Sequence, residues 1–570
     1  MLPPKVPIPQ IVIPMSGFGE RFRRAGYRLP KPLIPVDGRP IIEHVVDMFP
    51  GAENFVFICS QEHLDNADYR MRETLERICP TGRIVGILPH KLGPIHAVLQ
   101  ATEFLDPDRP VVVNYCDFSC YWDWHHFVEF VRGSHCDGAV PAYRGFHPHS
   151  LGTTNYAYMR ESGGWMLDIQ EKQPFTDDRM QEYASSGTYY FRSARLMATA
   201  FDETLSENRH VGGEFYVSLA YKSLLRQGMR VAVYELQHFL QWGTPADLEE
   251  YQNWSNAFQS LCEHAPVPAI EGAAAVFPMA GMGERFSREG YTAAKPLIQV
   301  SGEPMAVQSA RDLPTGTHRS FVLRADMPGA AVVAQRLTEA FPGAVIVTIA
   351  GVTQGQACTA QIGLDALKEV ADDAPVTFGV CDAGVLYDKQ RFVALANSPD
   401  WDVVVWTRRG HPHAARNPQM YGWIAEQQGV IERVSVKVPL SDPLHDPIVL
   451  GIFTFRNARV FRCCLEHLLA RDGKVNGEFY LDSVVQDAIE LGLVCRTFEV
   501  DSYFSWGTPN DLRTFEYWQS CFSKMASHPY ELAKDQRIAP QQISALQRRY
   551  APVLPTLPDL ANLPQTHPSA

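Results

Sequence analysis

Short runs of β-branched and aromatic residues alternate along this chain with longer stretches whose apolar positions recur every three or four residues. In the first half the runs include IVIPM (11–15), NFVFIC (54–59), PVVVNYCD (110–117) and GAVPAY (138–143). The second half has AAVFPM (274–279), FVLRA (321–325), PVTFGVCD (375–382) and VVVWT (403–407). Between them lie amphipathic patterns such as NADYRMRETLERI (66–78) and GQACTAQIGLDALKEV (355–370). Apolar runs of this length read as buried strands, and the longer period reads as helices facing a core. Strand and helix in alternation predict an α/β fold with mostly parallel sheets and helices on both faces. Ligands of such sheets collect beyond the C-terminal strand ends, so chemistry is sought in the loops that leave strands.

The pattern is written twice. Residues 11–36, IVIPMSGFGERFRRAGYRLPKPLIPV, are echoed by 275–300, AVFPMAGMGERFSREGYTAAKPLIQV. GGEFYVSL (212–219) returns as NGEFYLDS (476–483), and QWGTPADL (241–248) as SWGTPNDL (505–512). All three pairs lie 264 positions apart. A register held over so long a span predicts duplicated whole domains, since solenoid units are much shorter. The expected organisation is domain 1 at 1–258, a linker at 259–272, domain 2 at 273–524, and a poorly ordered, proline-rich C-terminal tail at 525–570.

Composition narrows the function class. The 570 residues exceed one ordinary core, and 45% hydrophobic with 20% charged residues is usual for a soluble globular protein. A net charge of −13 gives no electrostatic reason to bind nucleic acid or an anionic membrane. No apolar stretch approaches the ~18 residues needed to span a bilayer. The start, MLPPKVPIPQ, lacks the apolar segment and cleavage site of a secretory signal. The 12 cysteines form no CxxC pair and read as free thiols. A cytoplasmic protein is expected, with self-association into a homo-oligomer left open.

The first strand of each copy runs into a glycine turn, Ser16-Gly17-Phe18-Gly19-Glu20-Arg21 and Ala280-Gly281-Met282-Gly283-Glu284-Arg285. Such a turn lets backbone N–H groups approach a phosphate chain, although alone it is also an ordinary strand-to-helix connection. Ten residues after each arginine comes Lys31-Pro32-Leu33 or Lys295-Pro296-Leu297. Two cations at one spacing suit a triphosphate whose charge grows on departing pyrophosphate. The dinucleotide fingerprint wants a third glycine that neither copy has, and the GxxxxGK phosphate loop is absent.

The pattern [AS]GxGxRF followed by PKPLI resembles the signature of the sugar-phosphate nucleotidyltransferase family. PMxGxGERFxxxGY is similar to its branch in capsular and surface-polysaccharide biosynthesis. The resemblance covers nearly all of both copies and leaves out the linker and tail. It implies tandem Rossmann-like (GT-A type) domains that join a nucleoside triphosphate to a sugar or polyol phosphate with Mg2+, releasing pyrophosphate. The product would be an activated precursor for capsule or other surface polysaccharide. It further implies that Arg21, Lys31, Arg285 and Lys295 act on the phosphates, with Lys172 and Lys437 on the acceptor phosphate. Asp117 and Asp382 would hold metal, although an aspartate at a strand end is often only a cap. Ser16, Gly17, Gly19, Gly93, Ala280, Gly281, Gly283, Gly355 and Gln356 would bind nucleotide. Glu171, Gly187, Glu214, Gly451 and Glu478 would contact the acceptor.

Three departures qualify this picture. Val436 stands where Glu171 precedes Lys172, and valine cannot accept a hydrogen bond, so copy 2 is expected to take a different acceptor or none. Pro94 and the differing loop TQGQACTAQ (353–361) suggest unlike bases or substrates for the copies. Gln241 and Ser505 replace a second metal aspartate found in many members. His147 and His149, repeated as His411 and His413, form HxH pairs without a third ligand, and read as loop histidines near an anion. Asp400-Trp401-Asp402 imitates a glycosyltransferase motif but precedes a strand. The competing readings are a bifunctional enzyme, a catalytic copy 1 with a regulatory or structural copy 2, a nucleotide-sugar-dependent glycosyltransferase, and a nucleotide sensor without turnover.

Overall fold

The computed structural model describes residues 8–152, 155–263 and 269–559. The chain divides into two compact units, unit 1 with Met1–Ser255 and Ala551–Ala570, and unit 2 with Asn256–Tyr550. Each is built on one large mixed sheet.

Unit 1 contributes β1 (Gln10–Met15), β2 (Phe55–Ser60), β3 (Arg83–Ile87), β4 (Val111–Asn114), β5 (Phe118–Tyr121), β6 (Gly138–Tyr143), β7 (Ala157–Ser162), β8 (Trp165–Glu171), β9 (Tyr183–Ser185), β10 (Thr188–Phe191), β11 (Val231–Glu235) and β12 (His238–Gln241). Its ten-stranded sheet has the order β9-β7-β8-β11-β6-β10-β4-β1-β2-β3, with β5 and β12 forming a separate ribbon. Unit 2 contributes β13 (Ala269–Pro278), β14 (Thr315–Arg324), β15 (Val345–Ile349), β16 (Val376–Phe378), β17 (Ala383–Leu386), β18 (Val403–Arg408), β19 (Gly422–Gln427), β20 (Val430–Val436), β21 (Ile448–Phe455), β22 (Cys495–Glu499) and β23 (Ser502–Ser505). Its nine-stranded sheet runs β19-β20-β22-β18-β21-β16-β13-β14-β15, again with a two-stranded ribbon, β17 and β23. From β7 to β3 the unit 1 order matches this strand for strand.

The sheets are less parallel than the alternation predicted. Parallel pairing joins β4, β1, β2 and β3, and separately β6 and β11. Strands β7 to β10 pair antiparallel. The cause is local. Gly163 and Gly164 both have positive φ, 59° and 85°, the conformation a tight two-residue hairpin needs, and they join β7 to β8 directly. Gln428 and Gly429, with φ of 52° and 80°, do the same between β19 and β20.

Helices cover the sheets through the apolar faces their patterns predict. Val217–Arg226 buries Val217, Leu219, Ala220 and Leu224 against β8, and Leu481–Glu490 buries Leu481, Val484, Val485 and Ala488 against β20. These two helices bring one residue each beside the strand end where Glu171 or Val436 sits. In unit 1, β1, β4 and β6 supply Val12, Val111, Val113 and Val140 to a core completed by Phe191, Phe201 and Tyr221.

The C-terminal segment differs from its expectation. Residues 525–550 carry a helix, Pro540–Arg549, and bury Tyr530, Leu532, Ile538, Leu546 and Tyr550. Arg537 Nη1 pairs with Asp312 Oδ2 at 2.9 Å, both side chains buried. Residues 551–559 pack within unit 1. Asp559 N donates to Gly163 O and Trp165 Nε1 to Asp559 O, each at 3.0 Å. The remainder of the expected tail, 560–570, lies outside the described residues, as do 264–268 of the expected linker.

Candidate active site

In unit 1 a cavity of about 560 Å3 opens at the C-terminal ends of β1 and β4. It gathers Ser16, Gly17, Gly19, Arg21, Lys31, Gly93, Asp117, Glu171, Lys172, Gly187 and Glu214, every position expected on unit 1. The chain leaves β1 through Gly17 and turns at Gly19, whose φ of 61° starts the helix Glu20–Arg24. That helix has only five residues, so its dipole offers little. Attraction for an anion must come from loop N–H groups, from the exposed Arg21 and from Lys31. Lys31 lies on a short 3-10 turn, and its Nζ donates to Asp117 Oδ2 at 2.7 Å and to Gly243 O at 3.1 Å.

The β5–β12 ribbon brings the next group together. Gln241 faces Phe118 in register, and Trp242 N donates to Asp117 O at 3.0 Å, so Asp117 and Gln241 become neighbours across Gly243. Gln241 Nε2 donates to Asp247 Oδ2 at 2.5 Å, and Asp247 also accepts from Thr244 N at 3.1 Å. Burial raises the Asp247 carboxyl, while these Thr244 and Gln241 bonds oppose the rise. Asp247 thereby fixes the amide of Gln241, whose Oε1 is buried without a partner. A carboxylate and an orphaned amide oxygen are hard oxygen donors, a set that suits Mg2+ completed by water and phosphate. Asp117 itself lies three residues past the end of β4, in the loop before β5.

The side of the cavity expected to take an acceptor is built on the end of β8. Glu171 is half-buried and accepts from Ser218 Oγ at 2.6 Å. Burial raises its carboxyl, with Ser218 acting against that. Lys172 takes a left-handed backbone, φ 61°, a strained choice for a lysine. Its Nζ donates to Tyr216 OH at 2.5 Å, and Tyr216 OH donates to Glu214. Gly93 must be glycine. A Cβ there would lie 2.6 Å from Phe215 N, and φ is 90°. That contact ties the turn at Gly93, which opens the helix Pro94–Leu99, to the segment carrying Glu214 and Tyr216.

Unit 2 repeats much of this. Lys295 Nζ meets Asp382 Oδ2 at 2.5 Å; burial pulls its pKa down, but Asp382 outweighs that and holds it above the usual lysine range. Ala280 and Gly281 leave β13, and Gly283 has φ 66°. Arg324 Nη1 donates to Ala280 O at 3.2 Å, a tie that Ser60 cannot make in unit 1. A Cβ on Gly355 would lie 2.4 Å from Phe479 N, beside Glu478, and Gln356 opens the following helix, Gln356–Asp365. Gly451 stands against Val380. Ser505 Oγ donates to Asp511 Oδ2 at 3.1 Å, next to Asp382. Lys437 again has a left-handed backbone, φ 60°, but its Nζ donates to Met420 O at 2.5 Å. Burial lowers its pKa, and Asp482 opposes most strongly, with Arg285, Asp382 and Glu478 also in range.

The HxH pairs hold tyrosines. His149 Nε2 lies 2.9 Å from Tyr143 OH, and His413 Nδ1 lies 2.7 Å from Tyr421 OH. Burial pushes His147 and His411 down to about 3, so both stay neutral. Among the described residues the one three-residue group with metal-ligand spacing is His467, Asp487 and Glu490, where Arg471 already engages both Asp487 oxygens. Asp402 caps a strand end through Val494 N at 2.9 Å. Sequence reasoning passed over Tyr216, Ser218 and Asp247. All three fall inside segments quoted for the repeat, which was the available signal.

Residues 11–173 match the family model described as the MobA-like NTP transferase domain. Among curated relatives, the bifunctional protein GlmU of Burkholderia lata is 32% identical over 227 residues, 39% of this chain and 46% of that protein. The mannose-1-phosphate guanylyltransferase catalytic subunit beta of Xenopus tropicalis is 25% identical over 189 residues, 32% of this chain and 50% of the relative. The chain thus spans about half the length of the curated relatives it matches. Among solved structures, the nucleoside-diphosphate-sugar pyrophosphorylase of Vibrio cholerae aligns over 43% of this chain and 99% of its own, at 21% identity and a TM-score of 0.36.

Proposed function

We propose that unit 1 transfers a nucleotidyl group from a nucleoside triphosphate to a sugar or polyol phosphate, and that unit 2 is a second nucleotidyltransferase unit of the same descent. The observation that carries the first part is the unit 1 cavity, where the glycine turn, Arg21, Lys31, Asp117, Glu171 and Lys172 share one space. The match of residues 11–173 to an NTP transferase family and the name of the guanylyltransferase relative support the same chemistry. The matching strand orders and the paired left-handed lysines support duplication.

In this reading an acceptor phosphate oxygen attacks the α-phosphorus in line. The bond from that phosphorus to the β-phosphate oxygen breaks, and pyrophosphate leaves with the electron pair. Arg21 and Lys31 offset the charge growing on it, and Lys172 holds the acceptor phosphate while Glu171 takes a hydroxyl. Mg2+, held at Asp117 and Gln241 Oε1, would neutralise triphosphate oxygens when bound. The motif around Gly17 and Gly19 favours a product destined for capsule or other surface polysaccharide, made in the cytoplasm.

Pyrophosphate release over a grid of nucleoside triphosphates and sugar or polyol phosphates tests this, comparing the wild type with Lys31→Ala and Lys295→Ala. Each variant is expected to lose a different acceptor-specific activity. Loss through Lys31→Ala alone would make unit 2 a partner domain, and tight nucleotide binding without any release would end the proposal.

A further inference from the structure

We infer that unit 2 retains an acceptor-binding carboxylate, moved from the strand to the facing helix as Asp482. This deepens the function proposed above and rests on its reading that both units bind a phosphorylated acceptor. Three positions carry it. In unit 1, Glu171 ends β8, pairs across the hairpin with Ala157, and reaches Ser218 on the helix Val217–Arg226. In unit 2, Val436 ends β20 and pairs in the same register with Gly422, and Asp482 occupies the helical position of Ser218. Strand glutamate, alanine and helix serine have become strand valine, glycine and helix aspartate.

The three changes fit one another. Asp482 Oδ2 lies only 2.2 Å from where a Cβ on Gly422 would sit, so alanine cannot stand there while the carboxylate keeps its place. Gly422 opens its strand, and the missing side chain there admits the carboxylate of Asp482. Asp482 is buried, and among the described residues no other side chain donates a hydrogen bond to it. Its strongest electrostatic partner is Lys437, and burial raises its carboxyl. Unlike Asp487 on the same helix, which Arg471 engages, Asp482 has no guanidinium on it among the described residues, and a buried carboxylate is costly unless something uses it.

The walls around it indicate the acceptor. In unit 1, Tyr115, Ser185 and Tyr189 line the cavity near Glu171. The corresponding residues in unit 2 are Val380, Val449 and Phe453, all apolar. Val380 packs on Gly451 as Tyr115 packs on Gly187, and Val449 lies 3.2 Å from the Cβ position of Gly422. Around Lys437 unit 2 therefore offers Asp482 and Glu478 beside apolar surfaces, where unit 1 offers Glu171 and Glu214 beside three further hydroxyls. It fits a phosphorylated alcohol or short polyol with one hydroxyl in reach of Asp482, in preference to a hexose phosphate whose other hydroxyls would go unpaired.

Calorimetric titration tests this on the full chain carrying Lys172→Ala, which removes the unit 1 acceptor lysine. The probes run from glycerol 3-phosphate to glucose 1-phosphate, with Mg2+ and non-hydrolysable triphosphate analogues present. Binding of the hydroxyl-poor phosphates is expected, weakened about 10–100-fold by Asp482→Asn, the worth of one charge-assisted hydrogen bond. Nucleotide affinity should be unchanged, which controls for folding. A second variant, Gly422→Ala with Val436→Glu and Asp482→Ser, should shift preference toward glucose 1-phosphate. No binding by any probe, or binding that Asp482→Asn leaves unchanged, overturns the inference. Pyrophosphate release in the same proteins reports separately on function. Binding without release retires turnover in unit 2 and leaves the Asp482 assignment standing.

Discussion

Replacing Asp482 by asparagine removes a charge that the fold buries at a cost. Its carboxyl is pushed from 3.8 up to about 6, by burial above all, with Lys437 acting against the rise. A carboxyl with a folded pKa above its unfolded one holds its proton more tightly in the native state. It therefore subtracts stability as pH rises from the unfolded value through the folded one. With about 1.4 kcal/mol for each factor of ten, the penalty is small at pH 4, on the order of 3 kcal/mol at pH 8 and roughly half of that at pH 5. Asparagine keeps the shape without the charge, so Asp482→Asn should return these amounts to unit 2. At about 2–4 °C per kcal/mol for a large domain, its Tm should rise by about 5–10 °C at pH 8 and about half as much at pH 5. Differential scanning calorimetry of the full chain between pH 5 and 8 measures this. A gain independent of pH, or no gain at pH 8, would refute the claim that this carboxylate is desolvated in the native protein.

Two further outcomes follow from the packing. Gly93→Ala is expected to strain a backbone at φ 90° and to drive a methyl into Phe215 N, raising the nucleotide KM of unit 1 and lowering its stability by about 1–3 kcal/mol. Steady-state kinetics beside a melting curve separates the two, and a wild-type KM would show that the turn at Gly93 does not touch nucleotide. Arg537→Ala leaves Asp312 charged, buried and unpaired, and should cost unit 2 about 3–5 kcal/mol in urea unfolding. A loss below ~1 kcal/mol would mean that water replaces the guanidinium.

Much of the candidate site was legible because its chemistry rides on local spacing. The ten-residue step from Arg21 to Lys31 and the place of Asp117 in the loop that follows a strand are short-range features, and the structure joins Lys31 to Asp117. The repeat made the unit 2 pair, Lys295 and Asp382, readable in the same way. What stayed hidden depends on contacts between distant segments. The strand Val430–Val436 announced the loss of a glutamate, but nothing local says that residue 482, on a helix packed against it, supplies another carboxylate. The antiparallel half of each sheet was missed because β7 and β8 alternate much like the parallel strands, and only the Gly163-Gly164 turn betrays the hairpin. Residues 525–550 read as a tail because their buried apolar residues are sparse and unevenly spaced, with polar anchors among them. Tyr530 donates to Asp535 at 2.9 Å and Arg537 pairs with Asp312, and an apolar-period search passes over such residues.

The strap formed by residues 551–559 bears on the order in which this protein can mature. A ribosome delivers the N-terminal part of unit 1 first, then all of unit 2, and only afterwards the residues whose backbone closes on Gly163 and Trp165. Until then the indole N–H of Trp165 lacks the carbonyl it bonds in the finished protein. Domains usually complete themselves in the order of synthesis. Here the domain begun first is the last to be finished, and its early form presents the β7–β8 hairpin without its cover for as long as translation of unit 2 lasts.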